Sequence, residues 1–242
     1  MVLGTSTLEA DRGTVNGRLW AELWMTLVLL VIATGLIAHS GADLAISALF
    51  FRDGGWPIGD QFPWKLLYRI DRTPAILLVM VCLGGALRSV WTPALRQWRR
   101  TALFMLLALV IGPGLLVNAV LKDHWGRPRP REVAVFGGTK SFHQPWQPGV
   151  SGQGRSFPSG HASAAFFLCT PYFVYRRRRP ALASAWLAGG ILFGLAMSAA
   201  RIIQGGHFLS DTLWAFGLVW LSSLLLAALL LRDTGRLQEP PQ

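Results

Sequence analysis

The sequence predicts an all-α fold, a single bundle of six transmembrane helices that occupies residues 1–242. Two observations carry this prediction. Hydrophobic residues make up 52% of the 242 residues and charged residues 14%, whereas a soluble domain carries about 25% charged residues. Several apolar runs also approach the roughly 20 residues that a helix needs to cross the hydrocarbon core. A soluble globular protein is therefore excluded.

Six apolar segments are bounded by charge, glycine or proline, and most carry tryptophan near one end, as membrane interfaces favour. They cover about 21–38, 74–90, 101–121, 161–175, 181–200 and 211–231. The first is expected to be retained, since five more spans follow it. The fourth is short for a span, which favours a start inside the protein. The segment 41–51 is too short to cross and predicts an interfacial or re-entrant helix.

The basic residues behind the net charge of +11 are grouped as expected if they set the orientation of the chain in the membrane. Basic residues link the second and third spans at 88–100 and the fourth and fifth at 176–179, and Arg232 and Arg236 follow the sixth. With six spans these segments lie on the side of the N-terminus, and the positive-inside rule makes that side cytoplasmic. Both termini are therefore predicted to be cytoplasmic, and no nucleic-acid partner is expected.

The loop at 122–160 carries a cationic excess that topology does not explain, because the same parity places it on the outer face. Its acidic residues are Asp123 and Glu132. Its cations are Lys122, Arg127, Arg129, Arg131, Lys140 and Arg155. Such an excess needs an anionic partner, either a bound phosphate or the anionic headgroups of the bilayer. Phosphate is favoured, which makes this segment an outer-face active-site loop.

The stretch RSFPSGHAS at 155–163 opens the fourth apolar segment and suits an anion site. Pro158 sets the backbone at a helix start. Ser159 and Gly160 are small, so their amides can approach an anion at the positive end of the helix. His161 then stands in the first turn beside that anion, where it can exchange a proton.

A second histidine lies in the outer segment ARIIQGGHFLSD, in which Arg201 ends the fifth span. His207 and Asp211 are four residues apart, which places them on one face of a helix. The carboxylate is expected to hold the proton of Nδ1 and leave Nε2 free as a nucleophile. A His–Asp pair alone is more often a plain hydrogen-bonded pair. Its place beside a second histidine and three cationic segments favours catalysis.

Together these stretches resemble the signature of the type 2 phosphatidic acid phosphatase superfamily, which includes lipid phosphatases and vanadium haloperoxidases. The matching residues are Lys122 and Arg129 in KDHWGRPRP, His161 in PSGH, and Arg201, His207 and Asp211 in ARIIQGGHFLSD. The motifs span about 122–211. Ala200 stands where the family usually has serine, so one auxiliary hydroxyl contact is in doubt.

The resemblance implies a metal-independent phosphatase that works through a phosphohistidine. In that scheme His207 attacks phosphorus, Asp211 stabilises the resulting imidazolium, and His161 protonates the leaving oxygen and later activates water. The groups expected to hold the phosphate are Lys122, Arg129, Arg201 and the amides around Ser159 and Gly160. No metal or other cofactor is expected, because the histidines lack ligand-like spacing with supporting carboxylates outside the His207–Asp211 pair.

The predicted substrate is a phosphorylated lipid at the periplasmic face of a bacterial inner membrane. Lipid A, undecaprenyl diphosphate, phosphatidylglycerol phosphate and phosphatidic acid all remain open, although the GRPRP and FGG sequences loosely resemble lipid A phosphatase-like members. Possible headgroup contacts are Arg127, Arg131, Lys140 and Arg155. The Gly- and Pro-rich stretch at 132–154 predicts either a lid or a passive interfacial loop.

Other functions use some of the same residues. A phosphotransferase would pass the phosphoryl group to another lipid, and it shares every named side chain. A vanadate-dependent peroxidase would use the same anion site, but a soluble chain would be expected. A transporter of phosphorylated lipid would explain buried cations and gives no reason for the two histidines. The expected partners are the lipid substrate and the bilayer, with no obligate protein partner.

Overall fold

The computed structural model describes residues 5–231, and over that range the chain consists of helices joined by loops. The α-helices are α1 Thr5–Ser40, α2 Ala42–Ala48, α3 Trp64–Ile70, α4 Thr73–Arg88, α5 Gln97–Leu109, α6 Gly160–Phe166, α7 Pro171–Tyr175, α8 Pro180–Ile203 and α9 Leu209–Leu230. The predicted all-α class is confirmed for this range. Arg232 and Arg236 lie outside it.

Five described stretches are long and apolar enough to cross a membrane. They are Gly17–Ser40, Trp64–Arg88, Pro93–Lys122, Pro180–Ile203 and Leu209–Leu230. Each overlaps one of the predicted spans, and apolar side chains such as Trp20, Leu29 and Leu192 are exposed on them. The chain is therefore a multi-pass membrane protein.

The fourth predicted span, 161–175, is not one continuous helix. Its first part is α6, a 3₁₀ turn follows at Phe167–Cys169, and α7 starts at Pro171, which lacks the amide hydrogen that an uninterrupted helix would use. The side chains of 162–167 are buried, which matches the expectation that this segment begins inside the protein. The count of six spans stays a prediction, as does the interfacial position of α2.

The helix α5 continues as π-helical turns over Val110–Lys122 and places Lys122 at its end. Pro113 lies inside these turns and cannot donate an amide hydrogen bond. The side-chain amide of Asn118, five residues on, donates to the Pro113 carbonyl at 2.6 Å. The π-helical turns at this point are consistent with a side chain bonding to the helix backbone, as the Asn118 amide does to the Pro113 carbonyl.

The core surrounds α6, which packs against both α8 and α9. Gly194 on α8 lies directly against the Phe166 ring, and any side chain at Gly194 would overlap that ring. The fully buried Phe104 and Met105 on α5 join Phe167 in the largest apolar cluster. Close packing holds the body of α6 in place, and its first turn is thereby held at the end of the bundle where Lys122 lies.

Candidate active site

Backbone hydrogen bonds join the three motif segments to one another. The Ser159 amide donates to the Asp211 carbonyl at 3.1 Å, and the Arg131 amide donates to the Gly205 carbonyl at 3.2 Å. The Ser156 amide donates to the carbonyl of Arg127 at 2.9 Å. Each pair of segments is thus linked directly, and residues far apart in sequence meet in one place.

His207 is buried, with 1% of its surface exposed, and its ring is held by the backbone. Nδ1 lies 2.7 Å from the carbonyl oxygen of Ser156 and 3.8 Å from Oδ2 of Asp211. The expectation that Asp211 holds the Nδ1 proton is therefore corrected, because the Ser156 carbonyl is the closer acceptor. A carbonyl only accepts hydrogen bonds, so Nδ1 of the neutral ring carries the proton and Nε2 does not.

The free nitrogen of His207 is the one that a nucleophile requires. Nε2 is buried and has no hydrogen-bond partner among the described residues. Burial lowers the pKa of His207 to about 4, although the nearby negative charge of Asp211 opposes that shift. The ring is consequently neutral at neutral pH, with the lone pair of Nε2 available.

Asp211 is completely buried and serves several donors. Its Oδ2 accepts from the Ser156 hydroxyl at 2.5 Å and from the Phe208 amide at 2.7 Å, and its Oδ1 accepts from Arg127 at 2.5 Å. A carboxylate with so many donors stays ionised. Asp211 therefore presents a fixed negative charge 3.8 Å from the His207 ring.

Arg127 does not contact headgroups, and that prediction is wrong. Its side chain is fully buried and bridges two carboxylates, with Nη1 2.5 Å from Asp211 and Nη2 2.8 Å from Asp43. Its Nε donates to the His143 carbonyl at 2.9 Å. The physical reason is that two buried carboxylates need a cation between them, and a planar guanidinium can serve both.

Asp43 completes this buried network, and sequence reasoning missed it. It lies on α2 and accepts from the amide and the hydroxyl of Ser210, at 2.8 and 2.6 Å, as well as from Arg127. One signal was available, because Asp43 is an acid within the apolar stretch GADLAISALFF. Its partner Arg127 is 84 residues away, and no local pattern identifies that pairing.

Lys122 and Arg201 are buried cations, with 7% and 5% of their surfaces exposed. Among the described residues, neither has a carboxylate within 4 Å. The Nε atoms of Arg201 and of the half-buried Arg129 are also buried without a hydrogen-bond partner in that range. Buried charges without counter-ions cost several kcal/mol each. This arrangement suits an anion bound between them.

The start of α6 differs in part from the expectation. The Ser159 amide is occupied by the Asp211 carbonyl, so the prediction that this amide holds phosphate is wrong. Its hydroxyl instead caps α6 by accepting from the Ala162 amide at 3.4 Å. Gly160 approaches the Lys122 ammonium, since a Cβ at this position would lie 2.9 Å from Nζ. Glycine thus allows the cation to lie against the helix start.

His161 is partly buried and contacts two residues that sequence reasoning did not single out. Its Nε2 lies 3.5 Å from Oδ2 of Asp71, and its ring stacks on Tyr68 with centroids 5.0 Å apart. Its Nδ1 is buried and has no partner among the described residues. Tyr68 in turn lies 4.9 Å beneath the guanidinium of Arg201.

The remaining predicted headgroup contacts lie at the rim. Lys140 pairs with Glu132 at 3.2 Å, and Arg155 pairs with Asp123 at 2.6 Å. Arg131 is exposed. All three stay predictions. Among the described residues, no three His, Cys, Asp or Glu side chains gather closely enough to bind a metal ion.

Comparisons with known proteins agree on one family. The sequence model of the PAP2 superfamily matches residues 101–234. The lipid A 4'-phosphatase of Rhizobium leguminosarum is 35% identical over 232 residues, which are 87% of this chain and 94% of that protein. The lipid A 4'-phosphatase of Rhizobium etli is 33% identical over 240 residues, 91% and 89% of the two chains.

Two further relatives match less closely in extent or in sequence. The lipid A 4'-phosphatase of Francisella tularensis subsp. novicida is 40% identical over 142 residues, which are 56% of this chain and 61% of that protein. The crystal structure of a transmembrane PAP2-type phosphatidylglycerolphosphate phosphatase from Bacillus subtilis superposes with a TM-score of 0.57. It is 22% identical and covers 88% of this chain and 98% of its own, which shows a shared fold.

Proposed function

This chain belongs to the PAP2 superfamily and is a membrane hydrolase of phosphate esters, and we propose that it hydrolyses a phosphate monoester on the headgroup of a glycolipid through a phosphohistidine intermediate. One observation carries the proposal. The buried cations Lys122 and Arg201 have no carboxylate within 4 Å among the described residues, and the unpartnered Nε2 of His207 belongs to the same hydrogen-bonded group of segments. An anion site and a nucleophile are the two parts that phosphoryl transfer requires.

In the first step, Nε2 of His207 attacks phosphorus as the bond from phosphorus to the leaving oxygen breaks. The leaving oxygen takes a proton from His161. Lys122, Arg129 and Arg201 stabilise the negative charge on the equatorial oxygens. The phosphorylated ring keeps its proton on Nδ1, which donates to the Ser156 carbonyl, and the new positive charge lies 3.8 Å from Asp211.

In the second step, a water molecule attacks the phosphohistidine. His161, neutral after the first step, takes a proton from that water as the P–N bond breaks. Inorganic phosphate leaves and the lone pair returns to Nε2 of His207. Both proton transfers use the same imidazole, so the cycle restores the starting protonation states without a metal.

The substrate proposal rests on the relatives. Those that match 87% or more of this chain are named lipid A 4'-phosphatases, so the first substrate to test is lipid A with its 4'-phosphate. The location follows from charge, because the basic segments at 88–100 and 176–179 favour the cytoplasmic side. The site is then periplasmic, in a bacterial inner membrane.

The decisive experiment incubates the purified full-length protein in detergent with lipid A, and measures free phosphate and the mass of the lipid product. Chelator is present throughout, so activity under these conditions supports metal independence. His207→Ala should abolish release. His39→Ala is the matched control, since that exposed histidine lies on α1. Activity retained in the His207 variant would remove it as the nucleophile.

A second measurement separates hydrolysis from transfer. The reaction with ³²P-labelled lipid is quenched in alkali, where phosphohistidine survives, and label on the protein is measured in the wild type and in His207→Ala. Free phosphate as the labelled product supports the phosphatase. Label on a second lipid would establish the phosphotransferase, and unmodified lipid crossing a vesicle membrane would favour the transporter.

A further inference from the structure

The connection between α3 and α4 brings a carboxylate to His161. The two helices are separated by Asp71 and Arg72, and this break places Oδ2 of Asp71 3.5 Å from Nε2 of His161. Both side chains are mostly shielded, with 22% and 16% of their surfaces exposed. Among the described residues, Asp71 is the one carboxylate within 4 Å of a nitrogen of the His161 ring.

Tyr68, one turn earlier on α3, fixes the plane of the same imidazole. The two rings stack with an interplanar angle of 20°. Tyr68 also contacts Arg201, whose guanidinium lies 4.9 Å from the centroid of the tyrosine ring. This contact links Tyr68 to the cations of the proposed anion site. A stacked ring with one nitrogen beside Asp71 presents its other nitrogen, Nδ1, on the far side.

The charges around His161 explain why a carboxylate is needed. Burial, together with Arg201, His207, Lys122 and Arg72, lowers the pKa of His161 to about 2. A neutral imidazole cannot protonate the leaving oxygen and still hold a proton on Nε2. A bound phosphate dianion would offset the cations, and Asp71 is placed to add negative charge on the Nε2 side.

We propose that Asp71 and Tyr68 are positioning residues for His161, with Asp71 accepting from Nε2–H so that Nδ1–H points to the leaving oxygen. The inference rests on the proposed function. It gives the site two Asp–His arrangements with different tasks, one for the nucleophile and one for the acid. The two atoms are 3.5 Å apart, and such contacts tighten when substrate binds.

The proton balance is complete in this arrangement. His161 enters the first step as an imidazolium, with Nε2–H directed to Asp71. The P–O bond breaks, the P–N bond to His207 forms, and the leaving oxygen takes the proton from Nδ1. His161 is then neutral, and its Nδ1 accepts the proton of the attacking water in the second step. Asp71 remains a carboxylate throughout.

The test compares the wild type with Asp71→Asn, Asp71→Glu and the control Asp60→Asn, an exposed acid in the same outer segment. Each is assayed on dodecyl phosphate, whose alkoxide leaving group needs a proton, and on 4-nitrophenyl phosphate, whose phenolate does not. On dodecyl phosphate we expect Asp71→Asn to lower kcat about tenfold or more, with KM little changed. The alkaline limb of the kcat–pH profile of Asp71→Asn should move to lower pH by about one unit.

With 4-nitrophenyl phosphate, Asp71→Asn should release the first equivalent of nitrophenolate at the wild-type rate and then turn over slowly. Asp71→Glu should recover part of the activity and of the pH profile, and Asp60→Asn should match the wild type. An equal loss in the rate of the first step on both esters, an unmoved pH profile, or a lower melting temperature that accounts for the loss would overturn the positioning role. A wild type inactive on every phosphate ester would instead refute the proposed function.

Discussion

The buried network of Arg127, Asp43 and Asp211 makes a strong prediction about stability. Asp43→Asn removes the negative charge and leaves Arg127 fully buried with Asp211 as its remaining carboxylate. It also weakens two hydrogen bonds from Ser210, at 2.8 and 2.6 Å. Breaking a buried ion pair by removing one partner costs about 3–5 kcal/mol, and the lower end of this range applies here because Asp211 still compensates the charge of Arg127.

This free energy corresponds to a large change in melting temperature. One kcal/mol lowers the Tm of a chain of 150–250 residues by about 2–4 °C. Asp43→Asn is therefore expected to lower Tm by about 6–12 °C. The assay is thermal unfolding of the purified protein in detergent, followed by intrinsic tryptophan fluorescence or by loss of the monodisperse peak on size exclusion.

The matched control is an ion pair at the surface. Glu22 and Arg176 are 3.0 Å apart with half-exposed side chains. Exposed pairs of this kind contribute about 0–1 kcal/mol, so Glu22→Gln should lower Tm by no more than about 4 °C. If Asp43→Asn and Glu22→Gln have the same small effect, then Arg127 does not depend on Asp43, and the argument from buried charge fails.

Three further predictions concern the site itself. The pKa of His207 is lowered to about 4, so kcat/KM should stay constant from neutral pH down to pH 5 and fall near pH 4 as the ring gains a proton. The same profile is measured in His161→Ala, in which His207 is the one histidine of the pair that can titrate. An acidic limb near pH 6.5 in that variant would contradict the prediction. Gly160→Ala places a methyl group against Oδ1 of Asn118 and 2.9 Å from the Lys122 ammonium, so both side chains must move, and kcat/KM on the same lipid should fall at least about tenfold; wild-type activity would show that both side chains move freely. Orthovanadate should raise Tm, because ligand at 100 times its Kd adds about 2.7 kcal/mol, and Arg201→Gln should reduce that rise; an equal rise in both proteins would place the anion elsewhere.

The family and the positions of the motifs were predictable because their signals are local. Lys122, His161, Arg201 and His207 each lie at the end of an apolar segment, and helix ends at one membrane face meet in space. The predicted membership in the phosphatase superfamily is confirmed by the comparisons. Five of the predicted spans overlap long apolar helices for the same reason, since length and hydropathy are properties of a continuous segment.

What the sequence could not reveal depends on contacts between distant segments. The Ser156 carbonyl that orients His207 is a backbone group, and every residue has one, so no residue type marks it. Arg127 was counted with the other loop cations, because its burial depends on a carboxylate 84 residues away. Asp71 is one of four acids in the segment 39–73, which also has four Lys and Arg residues and so shows no excess of charge, and only the break between α3 and α4 directs it to His161.

The distribution of charge around His207 explains why some cations are neutralised and others are left free. Beneath the ring, Arg127 is matched by two carboxylates, which leaves that layer with a net negative charge. Around the proposed anion site, Lys122, Arg129 and Arg201 are all positive. In the proposed mechanism, phosphoryl transfer to Nε2 makes the imidazole cationic while the phosphate stays anionic, so each layer would stabilise the charge that develops next to it.

This separation also limits where substitutions can be made. A carboxylate introduced near Arg201 would satisfy that cation and compete with phosphate, whereas loss of Asp43 would remove negative charge from the layer around Arg127. Opposite changes in net charge therefore both weaken the separation of charge between the two layers. The fully buried Arg127 is what keeps them distinct, because its three nitrogens are all committed to groups that are not substrate.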